Sequence, residues 1–233
     1  MKVGIVGSGP GGMMTAMVLA NRGMEVSLFE KGKEIPQTSV RPFSPEEMDK
    51  KYVDQGITMA FGKPPVSYVE GECLGGGSEV NAGLYHRLPK TVFNEWQIDS
   101  FTYDDLIKHM EVCEELVKVG PMPFAAPTAS QKLKLGAQQL GWECDEVPRW
   151  YLYNSSEDKG VFSGVRQSMT EAVLPVIEKE RLSVFSDTCV LKVRPRGRQG
   201  ADIVFLRDNQ KKTERFDYVF LSAGTINTPY LLK

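Results

Sequence analysis

Apolar and polar positions run along this chain in blocks of changing period, and the first block is the clearest. Lys2–Val6 is a short apolar run that meets a glycine-rich turn at Gly7, which predicts a buried strand. Pro10–Asn21 follows with helix formers and small residues, and Gly23 predicts the stop of that helix. Glu25–Glu30, with Val26, Leu28 and Phe29 apolar, predicts the next strand. Together these make a strand–turn–helix–strand unit of the βαβ kind.

The pattern then loosens over Lys31–Glu72, where Pro36, Pro42, Pro45, Pro64 and Pro65 punctuate it. Ser44-Pro45-Glu46-Glu47 predicts a helix start, with proline in the first turn and acids facing the dipole. Thr102–Lys118 predicts an amphipathic helix with Leu106, Met110, Cys113 and Val117 on one face and Asp104 and Asp105 in its first turn. Thr128–Leu140 predicts another, with Leu133, Ala137 and Leu140 in register. Ser168-Met169-Thr170-Glu171 fits a capping box, and Pro175 should kink the helix it opens. From Leu182 the period becomes that of strands: Leu182–Ser186, Val190–Arg194, Asp202–Arg207 and Arg215–Ser222, with turns at Arg196–Gly200 and Asp208–Lys212. Thr228–Lys233 reads as a helix. No internal repeat or low-complexity tract is visible.

Composition changes this picture at a few points. The 233 residues suit one large domain or one domain with an insert. A hydrophobic fraction of 41% is enough for a core and excludes disorder as the main state. With 28 Lys+Arg against 30 Asp+Glu, the basic excess of a nucleic-acid binder is missing. Met13–Ala20 is too short to span a bilayer and no basic-then-apolar leader precedes the first strand, so a cytoplasmic, soluble protein is expected. Cys73, Cys113, Cys144 and Cys189 form no CxxC pair, and only two histidines accompany them, so free thiols in a reducing compartment are expected rather than a metal site. Glycine is the outlier: its clusters at Gly4–Gly12 and Gly75–Gly77 point to tight turns where backbone approaches a ligand.

The chemistry of the first cluster is specific. Gly7-Ser8-Gly9-Pro10-Gly11-Gly12 has glycine at the first, third and sixth places of G-x-G-x-x-G, between a predicted strand and a predicted helix. Gly7 permits the tight turn, Gly9 lets backbone approach a pyrophosphate, and Gly12 lets helix pack on strand. Free N–H groups at the helix start then stabilise phosphate charge, each contact contributing about 0.3–1 kcal/mol. Glu30, 18 residues past Gly12, can accept both ribose hydroxyls of an adenosine and would repel a 2′-phosphate. This half of the site leaves NAD and FAD both open, and its place at the N-terminus favours FAD. His86 and His109 have no sequence-adjacent partner that would mark an acid–base pair, so a surface or structural role is expected for both.

The second cluster carries a resemblance. Gly75-Gly76-Gly77-Ser78-Glu79-Val80-Asn81-Ala82-Gly83, followed by Leu84-Tyr85-His86-Arg87, resembles the glucose–methanol–choline (GMC) oxidoreductase family. Tyr68-Val69-Glu70-Gly71, Arg166-Gln167-Ser168-Met169-Thr170 with Pro175, and Leu221-Ser222-Ala223-Gly224-Thr225-Ile226-Asn227-Thr228-Pro229 match it in the family's order. The likeness is to bacterial members described as alcohol or choline dehydrogenase-like. It implies an α/β, Rossmann-like FAD/NAD(P)-binding fold with a parallel sheet, an antiparallel β-meander and a helical insertion. The implied segments are a βαβ unit at 1–35, a flavin-loop region at 36–90, a mainly helical insertion at 91–180 and a return to the FAD domain at 181–233, without the C-terminal substrate domain.

The resemblance also implies roles. Gly7, Ser8, Gly9, Pro10, Gly11 and Gly12 would hold the FAD pyrophosphate, and Glu30 the adenosine ribose. Gly75, Gly76, Gly77 and Ser78 would run under the pyrophosphate and ribityl chain, and Asn81 and Ala82 would lie beside the isoalloxazine ring. Val190 would meet adenine through its backbone, in a Val-x-x-Val pattern with Val193, and Ala223 and Gly224 would close the adenosine side. Val80 stands where some members carry a flavin-linking histidine, so FAD is expected to be non-covalent. The implied activity is hydride transfer from a small-molecule alcohol to flavin N5, with oxygen or another compound as electron acceptor. The family's catalytic pair lies beyond Lys233 in longer chains, so no catalytic residue is expected here and this chain alone should be inactive. Two other readings are a catalytically incompetent dinucleotide-binding module acting by association, and a flavoenzyme of the succinate dehydrogenase or amine oxidase type, which shares the first motif but not Gly75–Gly83.

Overall fold

The computed structural model describes residues 1–153 and 164–233. Along the chain these form β1 (Lys2–Val6), α1 (Pro10–Ala20), β2 (Glu25–Phe29), α2 (Pro45–Lys51), β3 (Thr58–Ala60) and β4 (Val66–Tyr68). Next come α3 (Lys90–Glu95), α4 (Tyr103–Leu116), β5 (Val119–Gly120), α5 (Thr128–Gln139), β6 (Arg149–Tyr153) and β7 (Gly164–Arg166). The chain continues through β8 (Leu182–Phe185), β9 (Cys189–Pro195), β10 (Ala201–Arg207), β11 (Gln210–Phe216), β12 (Tyr218–Leu221) and α6 (Gly224–Leu231). They sort into two units, one of Met1–Asn81 with Ser168–Lys233 and one of Ala82–Gln167.

The first unit is built on a four-stranded parallel sheet, ordered β12-β1-β2-β8. Val3 pairs with Val26 and Val6 with Phe29, while Val6 also meets Leu221 and Phe29 meets Phe185. Interior strands covered on both faces need a near-continuous apolar run, which is how β1 and β2 read in sequence. The antiparallel meander β9-β10-β11 supplies one cover. Its Ile203, Phe205 and Phe216 enclose Val6 and Phe29 in a buried cluster. The Phe29 ring lies 5.1 Å from Phe185, 5.0 Å from Phe205 and 5.8 Å edge-on to Phe216, spacings at which aromatic rings attract. Gly4 makes this approach possible: a Cβ there would sit 2.6 Å from Ile203 Cδ1.

The observed elements depart from the expected ones in four places. The expected strand Arg215–Ser222 is two strands, because β11 pairs antiparallel with β10 in the meander while β12 pairs parallel with β1 in the other sheet. The turn expected over Asp208–Lys212 is confined to Asp208 and Asn209, at φ 52° and 58°, and β11 has begun by Gln210. The helix expected from Thr228 begins at Gly224. The capping box at Ser168 does not form. Ser168 Oγ accepts instead from Gln37 Nε2 at 2.6 Å. Met169 N donates to Ser78 Oγ at 3.0 Å and Thr170 N to Glu79 Oε1 at 3.4 Å, so the second glycine segment caps this turn. The segment beyond it is a π turn over Met169–Val173 and a 3-10 turn over Leu174–Val176 that holds Pro175 in its first positions, not one kinked helix.

Among the described residues, the second unit has a small antiparallel sheet, β5-β6-β7, and three helices. Its α4 carries the capping box that Ser168 lacks: Asp105 N donates to Thr102 Oγ1 at 3.2 Å and Thr102 N to Asp105 Oδ2 at 3.2 Å. The Thr102 hydroxyl, Lys108 and the Thr102 amide hold the Asp105 carboxyl down at about 2, against an ordinary 3.8. A depressed folded pKa stabilises above the ordinary value and stops doing so as pH falls through the folded one. Removing the hydroxyl that caps Asp105 N, Thr102→Ala should destabilise α4 by about 1 kcal/mol. The gap between denaturant melts of the two proteins should narrow as the pH is lowered toward 2, and an equal gap at every pH would speak against the bond from the Thr102 hydroxyl to the Asp105 carboxylate.

Candidate functional site

The carboxyl ends of β1, β2 and β12 meet at the first glycine segment. Gly7 N donates to Phe29 O at 2.8 Å, and Ser222 N to Val6 O at 2.7 Å. Gly7 takes φ +96°, and a Cβ on it would lie 2.3 Å from Ser222 O, so both the turn and the neighbouring strand require glycine. Gly12 is required by α1 itself, since its Cβ would fall 1.8 Å from Gly7 O. Gly9 differs: a Cβ there would meet nothing within 4 Å. Pro10 stands at the first helical position, where its missing N–H costs nothing. The first bond of the α1 ladder runs from Met13 N to Gly9 O at 2.9 Å, so the N–H groups of Gly11 and Gly12 have no partner inside the helix.

The second glycine segment folds against the first. Gly76 approaches so closely that its Cβ would lie 3.0 Å from Gly9 Cα. Ser8 makes the junction. It is fully buried. Its hydroxyl donates to Glu30 Oε2 at 2.6 Å and accepts from Gly75 N at 2.9 Å, while Ser8 N also donates to Glu30 Oε2 at 3.0 Å. Glu30 Oε1 accepts Gly32 N at 2.8 Å. A carboxylate offers about four acceptor positions. Protein donors take three of those on Glu30, which leaves one acceptor position on Oε1.

The remaining expected residues spread along both segments and their supports. Ser78 is fully buried: its hydroxyl donates to Gly75 O at 2.8 Å and accepts from Met169 N at 3.0 Å, and its own N–H donates to Gly75 O at 3.3 Å. Gly77 is exposed, with no atom within 4 Å of a Cβ. Asn81 Nδ2 donates to Gly77 O at 3.0 Å, and Tyr52 Oη donates to Val80 O at 3.0 Å, so this end of the loop is held from inside. Ala82 is exposed and opens the second unit. Thr188 N donates to Glu30 O at 2.9 Å, which brings the start of Val190's strand to the end of β2. Val190 and Ala223 pack on the aromatic cluster, and Gly224 starts α6 with Glu70 Oε1 3.8 Å from where its Cβ would be.

Sequence reasoning missed the floor of the second segment. Glu79 is fully buried and accepts the Thr170 hydroxyl at 2.7 Å. Lys51 and Glu47 are buried as an i,i+4 pair whose charged atoms are 4.0 Å apart. Burial, then the Glu79 charge, pushes the Cys73 thiol up to about 12, so it stays protonated at neutral pH. All four cysteines are free. The i,i+4 spacing of Glu47 and Lys51 was legible as an ordinary surface pair, and nothing in sequence marked it as buried.

In the second unit, Tyr85, His86, Arg87, Glu114, Asp145 and Glu146 line part of a cleft of about 500 Å³. Glu114 is gripped by Arg87 through two bonds of 2.6 Å and by Tyr85 Oη at 2.7 Å, and the Arg87 contact holds its carboxyl below the usual range. His109 is exposed on α4. Among the described residues, no group of three or more His, Cys, Asp or Glu could hold a metal. None of the described helices is long and apolar enough to cross a membrane.

The first unit thus offers partnerless N–H groups at Gly11 and Gly12, open space over Gly9 and Gly77, and a carboxylate with one free acceptor position. That donor set suits the pyrophosphate and ribose of a dinucleotide.

Comparison with known proteins agrees. Residues 48–233 match the family described as GMC oxidoreductase, and residues 1–42 match one described as FAD binding domain. The chain is 32% identical to an uncharacterized GMC-type oxidoreductase of Sinorhizobium fredii, over 98% of this chain and 48% of that protein. It is 34% identical to a long-chain-alcohol oxidase of Arabidopsis thaliana, over 66% of this chain and 20% of that one. An FAD-dependent oxidoreductase of known structure from Chaetomium thermophilum superposes with a TM-score of 0.76 at 15% identity, over 99% of this chain and 46% of that one. The fold is therefore the expected α/β Rossmann-like one, with parallel and antiparallel sheets. The cofactor is FAD. The chain spans about half the length of the Sinorhizobium relative, 48%.

Proposed function

The chain belongs to the GMC oxidoreductase family, and on that premise we propose that it is the FAD-holding portion of an enzyme that oxidises the CH–OH group of a small-molecule alcohol. The observation that carries this reading is the Ser8 junction, through which the two glycine segments and Glu30 form one continuous cradle. Gly9, Gly11 and Gly12 receive the pyrophosphate on backbone N–H groups, and Glu30 accepts a ribose hydroxyl. The peptide run Gly75–Ser78, held from below by Glu79 and Ser78 Oγ, carries the ribityl side, and Asn81 stands at the flavin end. FAD held there would supply the acceptor for the hydride removed from the alcohol's carbinol carbon.

The hydroxyl proton needs a separate acceptor, which we assign to the remainder of a full-length protein of the relatives' kind. Oxygen or another compound would be the electron acceptor. The four free thiols suit a cytoplasmic setting. Purified chain mixed with FAD should show bound flavin absorbance and no reduction on adding alcohols, whereas a full-length relative of this kind should be reduced. Absence of bound flavin would overturn the reading, and alcohol-dependent bleaching by this chain alone would overturn the assignment of the proton acceptor. Val80 has no nucleophile, so FAD is held without a covalent bond. Acid precipitation should release all of the flavin to the supernatant, and a yellow pellet would contradict this.

A further inference from the structure

We propose that Ser8 is a positioning residue that sets the ribose selectivity of the cradle through Glu30, rather than a residue that touches the pyrophosphate. The proposal rests on the reading of Glu30 as the ribose carboxylate. Its place in the glycine motif would assign Ser8 to the phosphates, but its surroundings assign it elsewhere. The side chain is fully buried. Its proton is committed to Glu30 Oε2 at 2.6 Å, and its oxygen receives Gly75 N at 2.9 Å. A hydroxyl so engaged has no donor left for a phosphate oxygen.

The bonds define its role instead. Ser8 N and Oγ both hold Oε2, and Gly32 N holds Oε1 on the other side. The carboxylate is therefore fixed in rotation, with its one free acceptor position on Oε1. A fixed acceptor discriminates between a hydroxyl and its absence far better than a swinging one, because the bond forms without ordering the side chain. The same hydroxyl orders Gly75 N, so the ribose-reading carboxylate and the second glycine segment share one pivot.

The test is a ratio of affinities, measured by calorimetry on the full chain with ADP, 2′-deoxy-ADP and 3′-deoxy-ADP. Wild type should bind ADP about tenfold more tightly than one of the two deoxy analogues, the scale of one hydrogen bond to a charged group. Ser8→Ala should shrink that ratio to about two or less while both affinities fall. Direct phosphate contact by Ser8 would weaken all three ligands equally and leave the ratio at the wild-type value, which overturns the proposal. General loosening of the fold would do the same. Wild type showing no discrimination against either analogue would instead overturn the reading of Glu30, before Ser8 is considered. If Ser8→Ala does not accumulate folded, Ser8→Cys serves, because its thiol is a weak donor of similar size. Its ratio should fall below the wild-type ratio, and an unchanged ratio again overturns the proposal.

Discussion

Gly9→Ala is expected to weaken FAD binding by at least about 100-fold, near 2.7 kcal/mol, while leaving the stability of the apoprotein unchanged. The two halves of that expectation come from one measurement of space. No protein atom lies within 4 Å of a Cβ at Gly9, so the methyl group disturbs nothing in the empty fold. The same methyl would fill open space at the start of α1, where the proposed pyrophosphate would have to come close to backbone. Gly12→Ala makes the contrast. Its Cβ would lie 1.8 Å from Gly7 O, so the turn itself must open, at about 1–3 kcal/mol or more of stability even without cofactor. Paired denaturant melts and FAD titrations separate the two. A Gly9→Ala protein that melts early, or one that binds FAD normally, would show that the space over Gly9 is not the cofactor's.

Phe29→Ala is expected to destabilise the first unit by about 3–5 kcal/mol, the range for truncating a buried aromatic. Phe29 is fully buried, and three rings within 5.8 Å lose their common neighbour. The parallel sheet and the meander meet on this side chain, so the surroundings cannot close the cavity without moving a strand. The effect should reach the cradle too. Phe29 O receives Gly7 N, and the next residue is Glu30, so slack in β2 is felt at the turn and at the carboxylate. Urea melts followed by FAD titration of the folded fraction would check both parts. A loss of under about 1 kcal/mol would mean that the two sheets are held by something other than this cluster.

How much of this was legible in sequence differs by element. β1, α1 and β2 were readable to within a residue or two because each is a local device: an apolar run, a glycine turn, a stop at Gly23. The capping box was assigned to the wrong place. Ser168 has the right spacing, but its hydroxyl is taken by Gln37 and its turn is capped by Ser78 and Glu79, 91 residues away in sequence. Thr102 and Asp105 form the box in fact, with an aspartate where the pattern prefers glutamate or glutamine. Arg215–Ser222 read as one strand because the apolar pattern does not break at Asp217, and the split exists only because the two sheets diverge there.

Taken alone, the sequence determined the opening strand–turn–helix–strand unit and the two glycine segments, because backbone freedom and helix starts depend on near neighbours. Tertiary structure decided which glycines the protein itself requires and which stand over open space, since that rests on what lies within a few ångströms of an absent Cβ. It also decided that Ser8 faces inward, that Glu30 has one acceptor position left, and that Glu79, Glu47 and Lys51 are buried beneath the second segment. Each of those facts depends on bonds or contacts that only folding brings within reach.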